Sequence, residues 1–173
     1  MTRTALFYLL LAIVLVVAQV VVFNHICLFG MAVPFVFIYL LIALPLTMGQ
    51  AKVISIAFFL GLTVDIFSDT AGLYALGCTI MAALRHPVIR LYFPREEDIT
   101  DVRPSVDSLG LAVFLRYAFT LTLIFSTVVT LADSFTFFDP LRILLLVAGS
   151  SFITTALIVA LDFLTVHRRE KRL

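Results

Sequence analysis

Apolar positions along this chain fall into long unbroken runs, and the polar residues gather in the gaps between them. The first run extends from Ala5 to Phe23, and Asn24 and His25 end it. A second covers about Met31 to Met48, with Pro34 in its first turn, where a missing N–H costs little. Pro45 and Gly49 bring it to a close. The third spans Ala51–Phe67, the fourth about Leu73–Tyr92, the fifth Leu109–Ala132 and the sixth Leu141–Leu164. Crossing a bilayer takes about 20 apolar residues, within a range of about 17–25. Backbone polar groups in hydrocarbon must be satisfied internally, which leaves helices or a closed barrel. Continuous runs, without alternation, exclude the barrel. The pattern predicts an all-α, polytopic membrane protein: one transmembrane domain over residues 1–173, built as a six-helix bundle. The polar stretch 93–108 reads as a solvated connector with a short surface helix, and 165–173 as a basic tail.

The run from Ala5 to Phe23 exceeds the roughly 7–15 apolar residues of a signal peptide, and no small-residue cleavage site follows it. It is read as an uncleaved first span.

Composition agrees. The chain is 62% hydrophobic and only 13% charged, with a mean hydropathy of +1.16. Soluble domains carry about 45–50% apolar and about 25% charged residues, so too few charges remain here to clothe a soluble exterior. A formal net charge of +1 points to no nucleic-acid partner. Charge placement says more. Six spans put Arg3, Lys52, Arg85, Arg90, Arg95, Arg103, Arg168, Arg169, Lys171 and Arg172 on one side. Only Arg142 falls on the other, and Arg116 lies inside the fifth span. Lys and Arg in short loops stay cytoplasmic, so both termini are expected there.

Ionisable groups at membrane depth are costly and usually have a reason. Asp65 lies about 14 residues into the third span, roughly 21 Å along a helix axis, and Asp69 and Gly72 follow it. Two readings stand: an intramembrane functional carboxylate, or a cap for the next helix at a tight outer turn. Arg116 and Asp162 both sit toward the cytoplasmic ends of spans five and six, and an interhelical ion pair is expected between them. Small residues mark helix contacts: Ala71, Ala75, Thr79 and Ala83 at intervals of four, then Thr120, Thr122, Ser126, Thr127 and Thr130, and Gly149, Ser150, Ser151, Thr154 and Thr155. Their hydroxyls can bond back to their own helices, so they are read as packing. His25, His86 and His167 stand apart from other ligand types, and Cys27 and Cys78 form no redox or metal motif. No nucleophile elbow or phosphate loop occurs. No cofactor, metal or catalytic residue is expected, and a lipid-modifying enzyme is the weakest of the readings.

Spans three and four read Phe59-Leu60-Gly61-Leu62-Thr63-Val64-Asp65-Ile66-Phe67-Ser68-Asp69-Thr70-Ala71-Gly72-Leu73-Tyr74-Ala75-Leu76. This resembles the signature of the rod shape-determining MreD family, roughly G-x-x-x-D-x-x-S-x-x-x-x-G-x-x-A, on which Gly61, Asp65, Ser68, Gly72 and Ala75 fall. The motif covers about sixteen residues, and length, span count, termini and basic tail also look like that family. Asp69-Thr70-Ala71 stands where the family often has Gly-Ser-Pro or Gly-Thr-Pro. The resemblance implies a non-enzymatic subunit of the cell-elongation machinery in the bacterial cytoplasmic (inner) membrane. Its implied partner is MreC, within an assembly that includes MreB, RodA and a penicillin-binding transpeptidase. It also implies a fold similar to the six-helix S-components of ECF vitamin transporters. A vitamin-binding subunit of that kind is the alternative function, with Asp65, Asn24 and His25 near the outer face.

Overall fold

The computed structural model describes residues 3–23, 33–92, 103–134 and 140–170, and its regular structure is entirely helical. Helix α1 covers Arg3–Ala18 and continues through a wider turn over Gln19–Phe23. A tight helical turn, Val36–Ile38, leads into α2, Tyr39–Ala43. Then come α3 (Gln50–Ser68), α4 (Leu73–Tyr92), α5 (Val106–Leu109), α6 (Leu111–Asp133) and α7 (Pro140–Glu170).

Among the described residues, four helical stretches are long and apolar enough to cross a bilayer: Leu6–Phe23, Gln50–Ser68, Leu111–Asp133 and Pro140–Thr165. Helix α4 has the length but carries Arg85, His86, Pro87 and Arg90. Large apolar side chains cover the outside of the bundle. Leu10, Ile13 and Val14 on α1, Phe59 and Ile66 on α3, and Leu144 and Phe152 on α7 are all exposed. Water would make such a surface costly, and hydrocarbon does not.

The expected second span is where the structure departs most from the apolar pattern. Its described part holds helix only over Val36–Ala43, and Leu44 is already extended at ψ 144°. Every residue from Phe35 to Leu44 is buried. This short segment is the centre of the bundle. Phe35 and Phe37 pack edge-on against Phe125 of α6, with ring centroids 5.1 and 5.7 Å away, and against Tyr74 of α4 at 5.9 Å each.

At the end of the connector a short helix, α5, covers Val106–Leu109 and packs on the bundle through Val106 and buried Leu109. Ser105 accepts from the Ser108 N–H, and Ser108 Oγ in turn accepts from the Ser105 N–H at 3.0 Å. Gly110, at φ +77°, ends it and starts α6 two residues later than the apolar run suggests. Residues 93–102 of that connector lie outside the described residues, as do Asn24, His25, Phe135, Phe137 and Phe138. Helix α7 continues past the expected end at Leu164 to Glu170.

Candidate functional site

Two constructions concentrate the buried polar groups: the α3–α4 hairpin, and a set of clamps on the segment 33–44.

The hairpin gathers the signature residues. Gly61 lies where a Cβ would sit 2.6 Å from Ala75 Cα and Tyr74 O. Both contacts are backbone, so only glycine lets α3 and α4 come this close. One turn further on, Asp65 is 2% exposed. Its Oδ1 accepts from the Tyr74 N–H at 3.0 Å and the Thr70 hydroxyl at 2.5 Å, and its Oδ2 accepts from the Ala75 N–H at 2.8 Å. The first N–H groups of a helix have no partner within it, and they carry the positive end of its dipole. Asp65 therefore caps α4 from the neighbouring helix, as the capping reading had it. Between them the chain reverses through Asp69 in the left-handed region (φ 53°, ψ 42°) and Gly72 at φ +82°. Ser68 is half-buried at the end of α3.

Sequence reasoning missed the second construction. The segment 33–44 lies inside the bundle with its ends unravelled, so several of its backbone groups lack helical partners. Such irregular backbone is tolerated at membrane depth only where protein satisfies it. At the upstream end, Gln19, first residue of the wider turn that continues α1, is fully buried. Its amide donates to Pro34 O at 3.0 Å and accepts from the Val36 N–H at 2.8 Å. From α7, Ser150 Oγ accepts from the Val33 N–H at 3.1 Å and Thr154 Oγ1 from the Phe35 N–H at 3.0 Å. At the downstream end, Arg85 of α4 is fully buried and donates through Nη2 to the carbonyls of Leu44 and Ile42. Its Nε donates to Tyr117 Oη of α6 at 3.0 Å. The cation sits at the C-terminal, negative end of α2. The charge pattern grouped Arg85 with the basic residues on the cytoplasmic side around the fourth–fifth loop; its side chain belongs instead to the core, about two turns before the end of α4.

Tyr39 links the segment to the connector. Its hydroxyl accepts from Arg103 Nη2 at 3.1 Å and donates to Asp162 Oδ1 at 3.0 Å. Asp162 Oδ2 accepts from the Val106 N–H at 2.7 Å. The Arg103 guanidinium lies 5.9 Å from the ring centres of Phe7 and Tyr8. The expected pair of Arg116 with Asp162 is not formed. Asp162 is fully buried in this network, and Arg116 is exposed on the outer face of α6. The cause is azimuth. Thr122 meets Thr155 at 2.9 Å across α6 and α7. Seven residues from each, about two turns, the residue level with Asp162 is Leu115. Arg116 points about 100° further round the helix.

Among the described residues, no group of three or more His, Cys, Asp or Glu side chains is placed to hold a metal. The chemistry of both constructions is the same: side chains supply hydrogen bonds that the backbone lacks. No family model, curated protein or solved structure matches the chain.

Proposed function

We propose that this chain is a non-enzymatic, MreD-like subunit of the bacterial rod complex, which binds MreC in the cytoplasmic membrane and supports peptidoglycan synthesis along the side wall. MreB, RodA and a penicillin-binding transpeptidase would complete the assembly. The observation that carries this reading is the role of the signature residues. Gly61, Asp65, Gly72 and Ala75 bring two helices together and cap one of them, which suits a rigid docking scaffold better than a reaction centre. In this reading the chain crosses six times. The four apolar helices are joined by α4 and by the buried stretch around 33–48. Both termini and the connector 93–108 face the cytosol, following the bias of basic residues. Depleting the protein from rod-shaped cells that make it is the test. Rounded cells are expected, and unchanged rods would overturn the proposal.

One observation favours a second reading, the substrate-binding S-component of an ECF-type vitamin transporter. Transporter sites commonly form at broken helices near the middle of the bilayer. Here the broken segment carries Phe35 and Phe37 into an aromatic cluster with Tyr74 and Phe125. A vitamin that co-purifies with the protein, or rescue of a vitamin auxotroph, would select this reading over the scaffold.

A further inference from the structure

Helices α6 and α7 follow one another in the chain and pack side by side. The hydroxyls of Thr122 and Thr155, 2.9 Å apart, set their antiparallel register. One turn further along each helix, toward the 134–139 connection, stand Ser126 and Ser151. That register puts them at matching heights on the packed sides of the two helices. They are 1% and 0% exposed, and neither Oγ has a hydrogen-bond partner. The two hydroxyls also do not bond to each other. Their neighbours differ: Thr122 and Thr155 each have a carbonyl of their own helix as well as one another within hydrogen-bond reach, and Ser150 and Thr154 accept from the N–H groups of Val33 and Phe35. Two orphaned hydroxyls, fully enclosed and at the same height in one interface, are groups that a shared polar ligand would satisfy.

We propose that a single buried water molecule bridges Ser126 and Ser151, forming a small polar-ligand site inside the α6–α7 interface. The number of available groups selects water. An enclosed water makes about 2–4 hydrogen bonds, and each serine hydroxyl both donates and accepts. A hard metal cation takes about 6–8 oxygens, and two neutral hydroxyls fall well short. The bridge would link α6 and α7 beside the stretch of α7 that holds the broken segment in place.

A double-mutant cycle on the full-length protein in lipid nanodiscs tests this. Ser126→Ala or Ser151→Ala removes one end of the bridge and strands the opposite hydroxyl. Each is expected to lower the melting temperature by on the order of 2 °C. The double variant empties the site and is expected to melt no lower than the worse single variant. Additive losses, or two singles without effect, would overturn the bridge. Replacing sodium by choline should leave the coupling unchanged. Coupling that vanishes without sodium would assign the site to a cation and overturn the water. An experimental density map of the unmutated protein gives a check that needs no variant. An ordered molecule within hydrogen-bond reach of both hydroxyls is expected, and an empty gap would refute it.

Discussion

Gln50 donates its side-chain amide to the carbonyl of Ala83 at 2.8 Å, the carbonyl that Pro87, four residues on in α4, leaves without a helical donor. The first residue of α3 thus repairs a gap that proline opens in the next helix. Gln50→Ala should cost about 1 kcal/mol. Pro87→Ala restores the N–H, so in that background the cost of Gln50→Ala should fall toward zero. Equilibrium unfolding of the four proteins in detergent checks the coupling.

Gly61 makes a sharper claim. Its missing Cβ leaves room for backbone atoms of Tyr74 and Ala75. Gly61→Ala should therefore destabilise by about 2–3 kcal/mol. Ala75→Gly should fail to rescue it, because the atoms in the way are not the Ala75 side chain. Rescue in a thermal-shift series would show that side chains set the contact.

Asp65 is predicted to act through its two oxygens. Asp65→Ala removes the whole cap and should cost about 3 kcal/mol. Asp65→Asn keeps one acceptor but turns an amide N–H toward the Ala75 N–H, and should cost about half as much. Equal losses from both variants, read by unfolding, would show that charge alone matters there.

Arg85 holds the downstream end of the buried segment. Arg85→Met strips the Leu44 and Ile42 carbonyls of their donor and should cost about 3 kcal/mol. Arg85→Lys keeps the charge but lacks the planar fork that reaches Leu44 and Tyr117 together, so it should recover only part of the loss. Tyr117→Phe should cost about 1 kcal/mol. The same unfolding series ranks all three.

The long apolar runs were legible because hydrocarbon demands them: Ala5–Phe23, Ala51–Phe67, Leu109–Ala132 and Leu141–Leu164 reappear as helices with small shifts at the ends. The cap by Asp65 was one of the two readings that its place before a turn allowed, the other being a functional carboxylate. The short helix at the centre was not. Met31–Met48 is uniformly apolar, and hydropathy cannot separate a spanning helix from a short one wrapped in protein. Arg85 was hidden by the habit of assigning basic residues to loops, although it lies about twelve residues inside α4. Gln19, an amide within an apolar helix, was the signal available and unused. Arg116 lies one residue from the level of Asp162 but on another face, and a residue count from helix ends reports only level.

The proposed role, a docking scaffold of the rod complex, is open to a direct test. Affinity capture of the tagged full-length protein from solubilised membranes of its host, with MreC quantified, tests it most directly. The account predicts MreC retained by the unmutated protein and largely lost with Gly61→Leu, which wedges α3 from α4. Absence of MreC from the unmutated capture would contradict it.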